Sequence, residues 1–226
     1  MMRLLLIRHG QTPSNVEGLL DTAAPGPGLT ELGHRQAAQI PDALRAESID
    51  GIWVSTLRRT HLTAAPLAAS LALSPVQLDG LHEIAAGELE LRRDHEAVRI
   101  YLETVFAWGL GDRTPRMPGG EDGHEFFRRF DSSIREVASS GAQTAAVVSH
   151  GAAIRVWVAG SATNVAPSYA GEHDIQNTGI IELEGDLDSG WRLLAWQGTP
   201  IGGSDLVDAD ANDPTGETLD DALDET

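Results

Sequence analysis

Cysteine is absent from the 226 residues, and so is lysine: all 16 basic side chains are arginine. Without cysteine there is no disulfide framework, no thiolate nucleophile and no cysteine-based zinc site. Without lysine there is no Schiff-base chemistry and no phosphate-binding lysine of the Walker type. Long apolar runs are missing as well. Leu4 to Ile7 is four residues with a charged motif directly behind it, and residues 152–163 are interrupted by Arg155, so neither reads as a secretory signal or a membrane span. These absences lead us to expect a cytoplasmic protein whose cations are all guanidinium groups, which favour planar, bidentate contact with phosphate oxygens.

The formal net charge of −18 is unevenly spread. Residues 203–226 hold nine acids (Asp205, Asp208, Asp210, Asp213, Glu217, Asp220, Asp221, Asp224, Glu225) and no base, which leaves 25 acids against 16 arginines in the rest. Such a body has no basic footprint for nucleic acid or an anionic membrane. With 41% apolar and 22% charged residues and no Pro/Gly/Ser-rich linker before residue 198, residues 1–200 read as one globular domain, followed by an acidic, flexible tail over 201–226. Asp208, Asp210 and Asn212 copy the start of a calcium loop, but Asp213 and Leu219 stand where Gly and Glu are required, so no metal is assigned.

Apolar patterning predicts strands at Arg3–Arg8, Gly51–Ser55, Val76–Leu78 and Thr144–Ser149, with a closing β pair at Gly179–Glu184 and Trp191–Trp196. Helical spacing falls at residues 30–47, 57–73, 93–109, 120–140 and 152–159. This alternation predicts an α/β fold, a three-layer α/β/α sandwich around a mostly parallel sheet.

Two of these strands end alike, in Arg8-His9-Gly10 and Ser149-His150-Gly151. A parallel sheet can set both imidazoles side by side at its carboxyl edge, where open α/β folds bind ligands, and each glycine lets backbone amides approach an anion. Ser55 to Thr60 ends a third strand and opens a helix, placing an arginine beside amides that favour negative charge. Of the two arginines there, Arg58 reads as solvated. Glu83, in Leu81-His82-Glu83-Ile84, sits between apolar neighbours. His34, His61 and His124 read as surface residues without partners at metal-ligand spacing, and for His173 both a loop and a pocket position stay open.

Together these residues resemble the histidine phosphatase superfamily, the phosphoglycerate mutase-like proteins. The matching pieces, in family order, are Arg8-His9-Gly10-Gln11-Thr12 with Asn15, Leu29-Thr30-Glu31-Leu32-Gly33 with Gln36-Ala37, and Ser55-Thr56-Leu57-Arg58-Arg59 with Thr63-Ala64. They continue with Leu81-His82-Glu83-Ile84 and Gly87, Pro118-Gly119-Gly120-Glu121, and Val148-Ser149-His150-Gly151. The resemblance spans residues 3 to about 184 and implies the phosphoglycerate mutase-like fold.

The resemblance also implies roles. His9 becomes phosphorylated, while Arg8, Arg59 and His150 grip the transferring phosphoryl group. Asn15 and the Gly151 amide add neutral donors, with Gln11 and Thr12 in the same phosphate- and substrate-binding set, and Glu83 protonates the leaving oxygen. No cofactor or metal is implied. The chemistry is consistent: a neutral imidazole attacks without prior deprotonation, and surrounding cations lower its pKa. For Glu83, burial raises the pKa and the arginines lower it, two opposing pulls.

Thr56 stands where the family usually has Asp, Gln11 where many members have Glu, and Leu91 where a small residue is usual. The segment after Glu83 lacks the Arg, Tyr and Lys pattern of cofactor-dependent phosphoglycerate mutases and is shorter than their insertion. We therefore expect a metal-independent phosphomonoesterase acting on a small phosphorylated metabolite, with mutase-type transfer as the alternative and a non-catalytic phosphate-binding module as a third reading. One or two of Arg92, Arg93, His95, Arg113 and Arg116 are candidates to contact a second anionic group on the substrate, with positions on solvated helix faces as an equal alternative.

Overall fold

The computed structural model describes residues 1–186, 188–208 and 213–218; Asp210, Asn212 and Leu219, with Asp220, Asp221, Asp224 and Glu225 of the acidic run, lie outside the described residues. The strands are β1 (Met2–Arg8), β2 (Gly51–Val54), β3 (Val76–Gln77), β4 (Thr144–Ser149), β5 (Ile180–Asp186) and β6 (Gly190–Gln197), in sheet order β3-β2-β4-β1-β5-β6. The first four are parallel, and β5 and β6 close one edge antiparallel. This is the mostly parallel α/β sandwich expected from the alternation of patterns.

The helices are α1 (Pro13–Glu17), α2 (Glu31–Ala43), α3 (Arg58–Leu71), α4 (His95–Gly109), α5 (Gly123–Ser139), α6 (Gly151–Ser161) and α7 (Tyr169–Glu172). Because strand side chains alternate between faces, Leu5, Ile7, Ile52, Val54, Ala146 and Val148 pack against Ile40 of α2 and Ala64 and Leu67 of α3. Leu4, Leu6, Ala145 and Val147 point to the other layer, built by α4, α5 and α6. All four residues from Leu4 to Ile7 are fully buried, as a central parallel strand requires, and each contributes about 2 kcal/mol through burial.

Aromatic residues are only 5% of the chain, but they concentrate behind α6. Trp108 stacks on Phe126, Phe130 meets Trp157, and Trp157 meets Trp191, with ring centroids 5.9, 5.3 and 5.9 Å apart. Trp157 lies on α6, so this cluster fixes the helix whose first residue follows His150.

Two short helices went unpredicted. The signal for α1 was present: Thr12 Oγ1 accepts from the Asn15 amide, and Pro13 occupies the first turn. Parts of residues 201–218, which composition assigns to a solvated tail, pack on the body. Ile201 and Leu206 are buried, and Asp213 and Thr215 are each 8% exposed. The average acidity of the stretch conceals these few residues that can be buried.

Candidate active site

Arg8 of β1 stands in register with Ser149 of β4, so the next residue of each strand, His9 and His150, leaves the same sheet edge. Their ring centroids are 5.2 Å apart and both are buried. The exit of β1 is fastened by three hydrogen bonds from two donors: the Thr178 amide to the Arg8 and His9 carbonyls at 3.1 and 3.3 Å, and Asn177 Nδ2 to the His9 carbonyl at 3.1 Å. Thr178 holds φ at +60°, an uncommon conformation for a β-branched residue, in this tightly bonded turn. Gly10 is required by packing. A Cβ there would lie 2.8 Å from the Gly33 carbonyl oxygen.

The hydrogen bonds assign the tautomers. His9 Nδ1 lies 2.8 Å from the Gly10 carbonyl oxygen, which can only accept, so Nδ1 carries the proton and Nε2 the lone pair. Arg59 Nε donates to His150 Nδ1 at 3.3 Å, so His150 Nε2 carries the proton and donates to Ser55 Oγ at 2.7 Å. Ser55 ends the β2 exit, and α3 begins three residues later; the first turn of α3 buries Arg59 and leaves Arg58 exposed. Arg59 Nη2 donates to the Asp21 carbonyl at 3.0 Å, while its Nη1 is buried without a protein acceptor.

His9, Arg59 and Glu83 line one small cavity with Thr12, Asn15, Asp21 and Thr215. A larger cleft, lined by Phe106, Leu110, Pro167 and Glu172, holds none of the converging histidines or arginines. Asn15 Oδ1 accepts from the Thr12 amide and hydroxyl, both at 2.9 Å, which leaves its Nδ2 as the donating end. Gly151 is the first residue of α6, so its amide has no acceptor within the helix. Among the described residues no group of three or more His, Asp or Glu side chains is placed to hold a metal ion, and the donors that converge suit an anion.

Glu83 reaches the same helix end. Its Oε1 accepts from the Ile84 and Ala153 amides at 2.8 and 2.9 Å, and Oε2 from the Ala152 amide at 3.2 Å. Burial raises its pKa above the ordinary 4.5, outweighing those amides and the pull of Arg59 and Arg8. Arg129 holds the segment in place, donating to the Gly80, His82 and Glu83 carbonyls and pairing with Glu121 at 2.6 Å.

Both histidines titrate well below 6.5, first because they are buried and then because Arg59 is close, with Arg8 adding to the effect at His9. Each ring is neutral when folded but binds a proton below 6.5 when unfolded. The stability this confers is complete above pH 6.5 and is lost as pH falls toward the folded-state values, at up to about 1.4 kcal/mol per pH unit per ring. Between about pH 7 and pH 5, wild type is therefore expected to lose about 2 kcal/mol more than His150→Asn in urea unfolding, the difference steepening toward about 1.4 kcal/mol per pH unit at the acid end. Parallel curves would refute the assignment.

Other expected site residues lie elsewhere. Gln11 accepts from Thr30 Oγ1 at 2.7 Å and donates to Asp208 at 2.6 Å, so its side chain does not line the cavity. Arg92 is held by Asp94, Arg116 by Asp122 and Glu125, and Arg113 lies over the Phe127 ring; none of these lines the cavity, and neither do Arg93 and His95. His34 and His124 are exposed, and His173 stacks on Tyr169 at 3.7 Å, away from the site. The sequence reading missed Ser55 as the partner of His150, Asn177 as the clamp on His9, and Asp213 and Thr215, which bond Arg8. Only Ser55, at a strand exit inside a matched motif, carried a local signal.

Comparison with known proteins agrees with this geometry. The family model described as histidine phosphatase superfamily (branch 1) matches residues 4–199. The adenosylcobalamin/alpha-ribazole phosphatase of Salmonella typhimurium is 32% identical over 168 residues, covering 74% of this chain and 83% of that protein. The PE-PGRS family protein PE_PGRS11 of Mycobacterium tuberculosis is 39% identical over 219 residues, 90% of this chain, but the match spans only 38% of that relative's length. Among solved structures, the mycobacterial glucosyl-3-phosphoglycerate phosphatase complexed with VO3 superposes with a TM-score of 0.74 at 25% identity, over 88% of this chain and all of that one. Within the described residues no helix is long and apolar enough to cross a membrane. The chain belongs to branch 1 of the histidine phosphatase superfamily.

Proposed function

We propose that the protein is a metal-independent phosphomonoesterase acting on a small phosphorylated metabolite through a phosphohistidine on His9. The observation that carries this reading is one cavity lined by a neutral imidazole with its lone pair on Nε2, a buried guanidinium with an unpartnered N–H, and a carboxyl whose pKa is raised. His9 Nε2 attacks phosphorus, and the ester P–O bond breaks. The proton on Glu83 goes to the departing oxygen. The ring carries positive charge while phosphorylated, and the Gly10 carbonyl on Nδ1 stabilises it. Water then attacks the phosphohistidine and gives its proton to the Glu83 carboxylate; the P–N bond breaks and the lone pair returns to Nε2. Arg8, Arg59, Asn15 and the Gly151 amide supply donors to the equatorial oxygens, where each is worth about 3 kcal/mol, and His150, whose N–H goes to Ser55 and whose Nδ1 accepts from Arg59, holds the Arg59 guanidinium in place.

Turnover of an aryl phosphate in excess chelator tests the reading, together with an alkaline quench that preserves labelled phosphohistidine. Chelator-resistant turnover with the label on His9 is expected. Turnover that chelator abolishes, or isomerisation of phosphoglycerate outpacing phosphate release, would replace it with a metal-dependent or mutase assignment.

A further inference from the structure

The site holds a feature that neither the family motifs nor the proposed chemistry uses: residues 213–218 lie against Arg8. Arg8 is 1% exposed, so its guanidinium must be paired by the protein or by a ligand. Nη1 donates to the Ile175 carbonyl at 2.7 Å, and Nη2 donates to Thr215 Oγ1 at 3.0 Å and pairs with the Asp213 carboxylate. Thr215 Oγ1 donates in turn to Asp213 Oδ1 at 3.0 Å. The remaining nitrogen, Nε, is buried without an acceptor among the described residues and lies 3.0 Å from where a Cβ on Gly151 would stand. Both ends of the guanidinium are thus held by the protein, while the N–H beside the first turn of α6 is left for another acceptor.

The segment that brings Asp213 is built into its place. Ile175 donates its amide to the Gly216 carbonyl at 2.8 Å, and the Gly216 amide returns to the Asp213 carbonyl at 2.9 Å. Fully buried Arg155 donates through Nη1 to the Thr215 and Glu217 carbonyls at 3.4 and 2.5 Å. Two glycines make the approach possible. A Cβ on Gly216 would lie 1.9 Å from Arg8 Nη1, and one on Gly151 would lie 2.4 Å from the Thr215 carbonyl oxygen.

We infer that Asp213 is a positioning residue for phosphoryl binding: its carboxylate, with Thr215, turns the Arg8 guanidinium so that Nε faces the phosphoryl oxygens. The inference rests on the reading of the cavity as a phosphoryl-transfer site. A carboxylate that competed with phosphate would be expected on Nε, the nitrogen beside Gly151; Asp213 is on Nη2. It also neutralises the buried guanidinium between turnovers without occupying the anion's place.

The test is a double-mutant cycle on the full chain, reading inhibition by inorganic phosphate and kcat/KM for an aryl phosphate. Asp213→Asn is expected to weaken phosphate inhibition and lower kcat/KM about tenfold, and to add almost nothing once Arg8→Ala is present. Thr215→Val should weaken both about threefold with the same lack of additivity, and serves should Asp213→Asn melt below the assay temperature. Asp213→Asn that binds phosphate as well as or better than wild type overturns the inference, and so does a loss that persists in full beside Arg8→Ala. Wild type that neither binds phosphate nor turns over an aryl phosphate overturns the reading of the site itself, and the inference with it.

Discussion

His9→Ala is expected to lower turnover of an aryl phosphate by about 10⁵-fold, with inorganic phosphate still bound. Removal of a nucleophile takes away the covalent step, so no phosphohistidine forms and alkaline quench recovers no label. Arg8, Arg59 and Asn15 remain to hold the anion, and what survives is the weaker catalysis of positioned donors acting on water. His150→Ala is the control. Its ring donates to Ser55 and accepts from Arg59 instead of attacking, so its loss frees the Arg59 guanidinium and should cost on the order of 10²–10³ in kcat, leaving phosphohistidine formation detectable. A His9→Ala protein within about tenfold of wild type would show that another group attacks.

The sheet and the two histidines were legible because both are local signals: an apolar run of strand length, then a histidine and a glycine at its exit. Adjacency of β1 and β4 converts that repetition into a 5.2 Å pair. Glu83 was legible as a candidate but its protonation was not, because burial and three backbone amides oppose each other and only coordinates weigh them. The arginines considered for a second anion lie off the cavity, two of them with a partner already close in sequence. Arg92 and Arg116 have acids two and six residues away, Asp94 and Asp122, which already pair with them. Asp213 was hidden in the opposite way. It lies 205 residues from Arg8 in an acidic stretch, where composition points to solvent and no spacing rule marks a carboxylate that returns to the sheet edge.

Glu83→Gln should separate substrates by leaving group. An alkyl phosphate leaves as a strongly basic alkoxide and needs the proton, so its turnover is expected to fall about 10³-fold. A nitrophenolate leaves without help, and the first P–O cleavage should slow by about tenfold or less. The second half-reaction still needs a base for water, and glutamine cannot act as one. Phosphohistidine should therefore accumulate, giving a burst of one equivalent of nitrophenol before a slow steady state. The amide side chain keeps the shape of the carboxyl and its oxygen can still accept from Ile84 and Ala153, but its NH2 replaces the oxygen that accepts from Ala152, so thermal melting is measured alongside to check the start of α6. The pH profile supplies the second arm. If the proposed mechanism holds, wild-type kcat/KM for the alkyl ester is expected to fall as pH rises through the Glu83 carboxyl pKa that burial has lifted above 4.5. The acid limb, set by His9, lies well below 6.5. Loss of the alkaline limb in Glu83→Gln, together with the burst, would assign acid and base duties to one carboxyl. Equal losses for both leaving groups with the limb intact would move the proton donor to another residue.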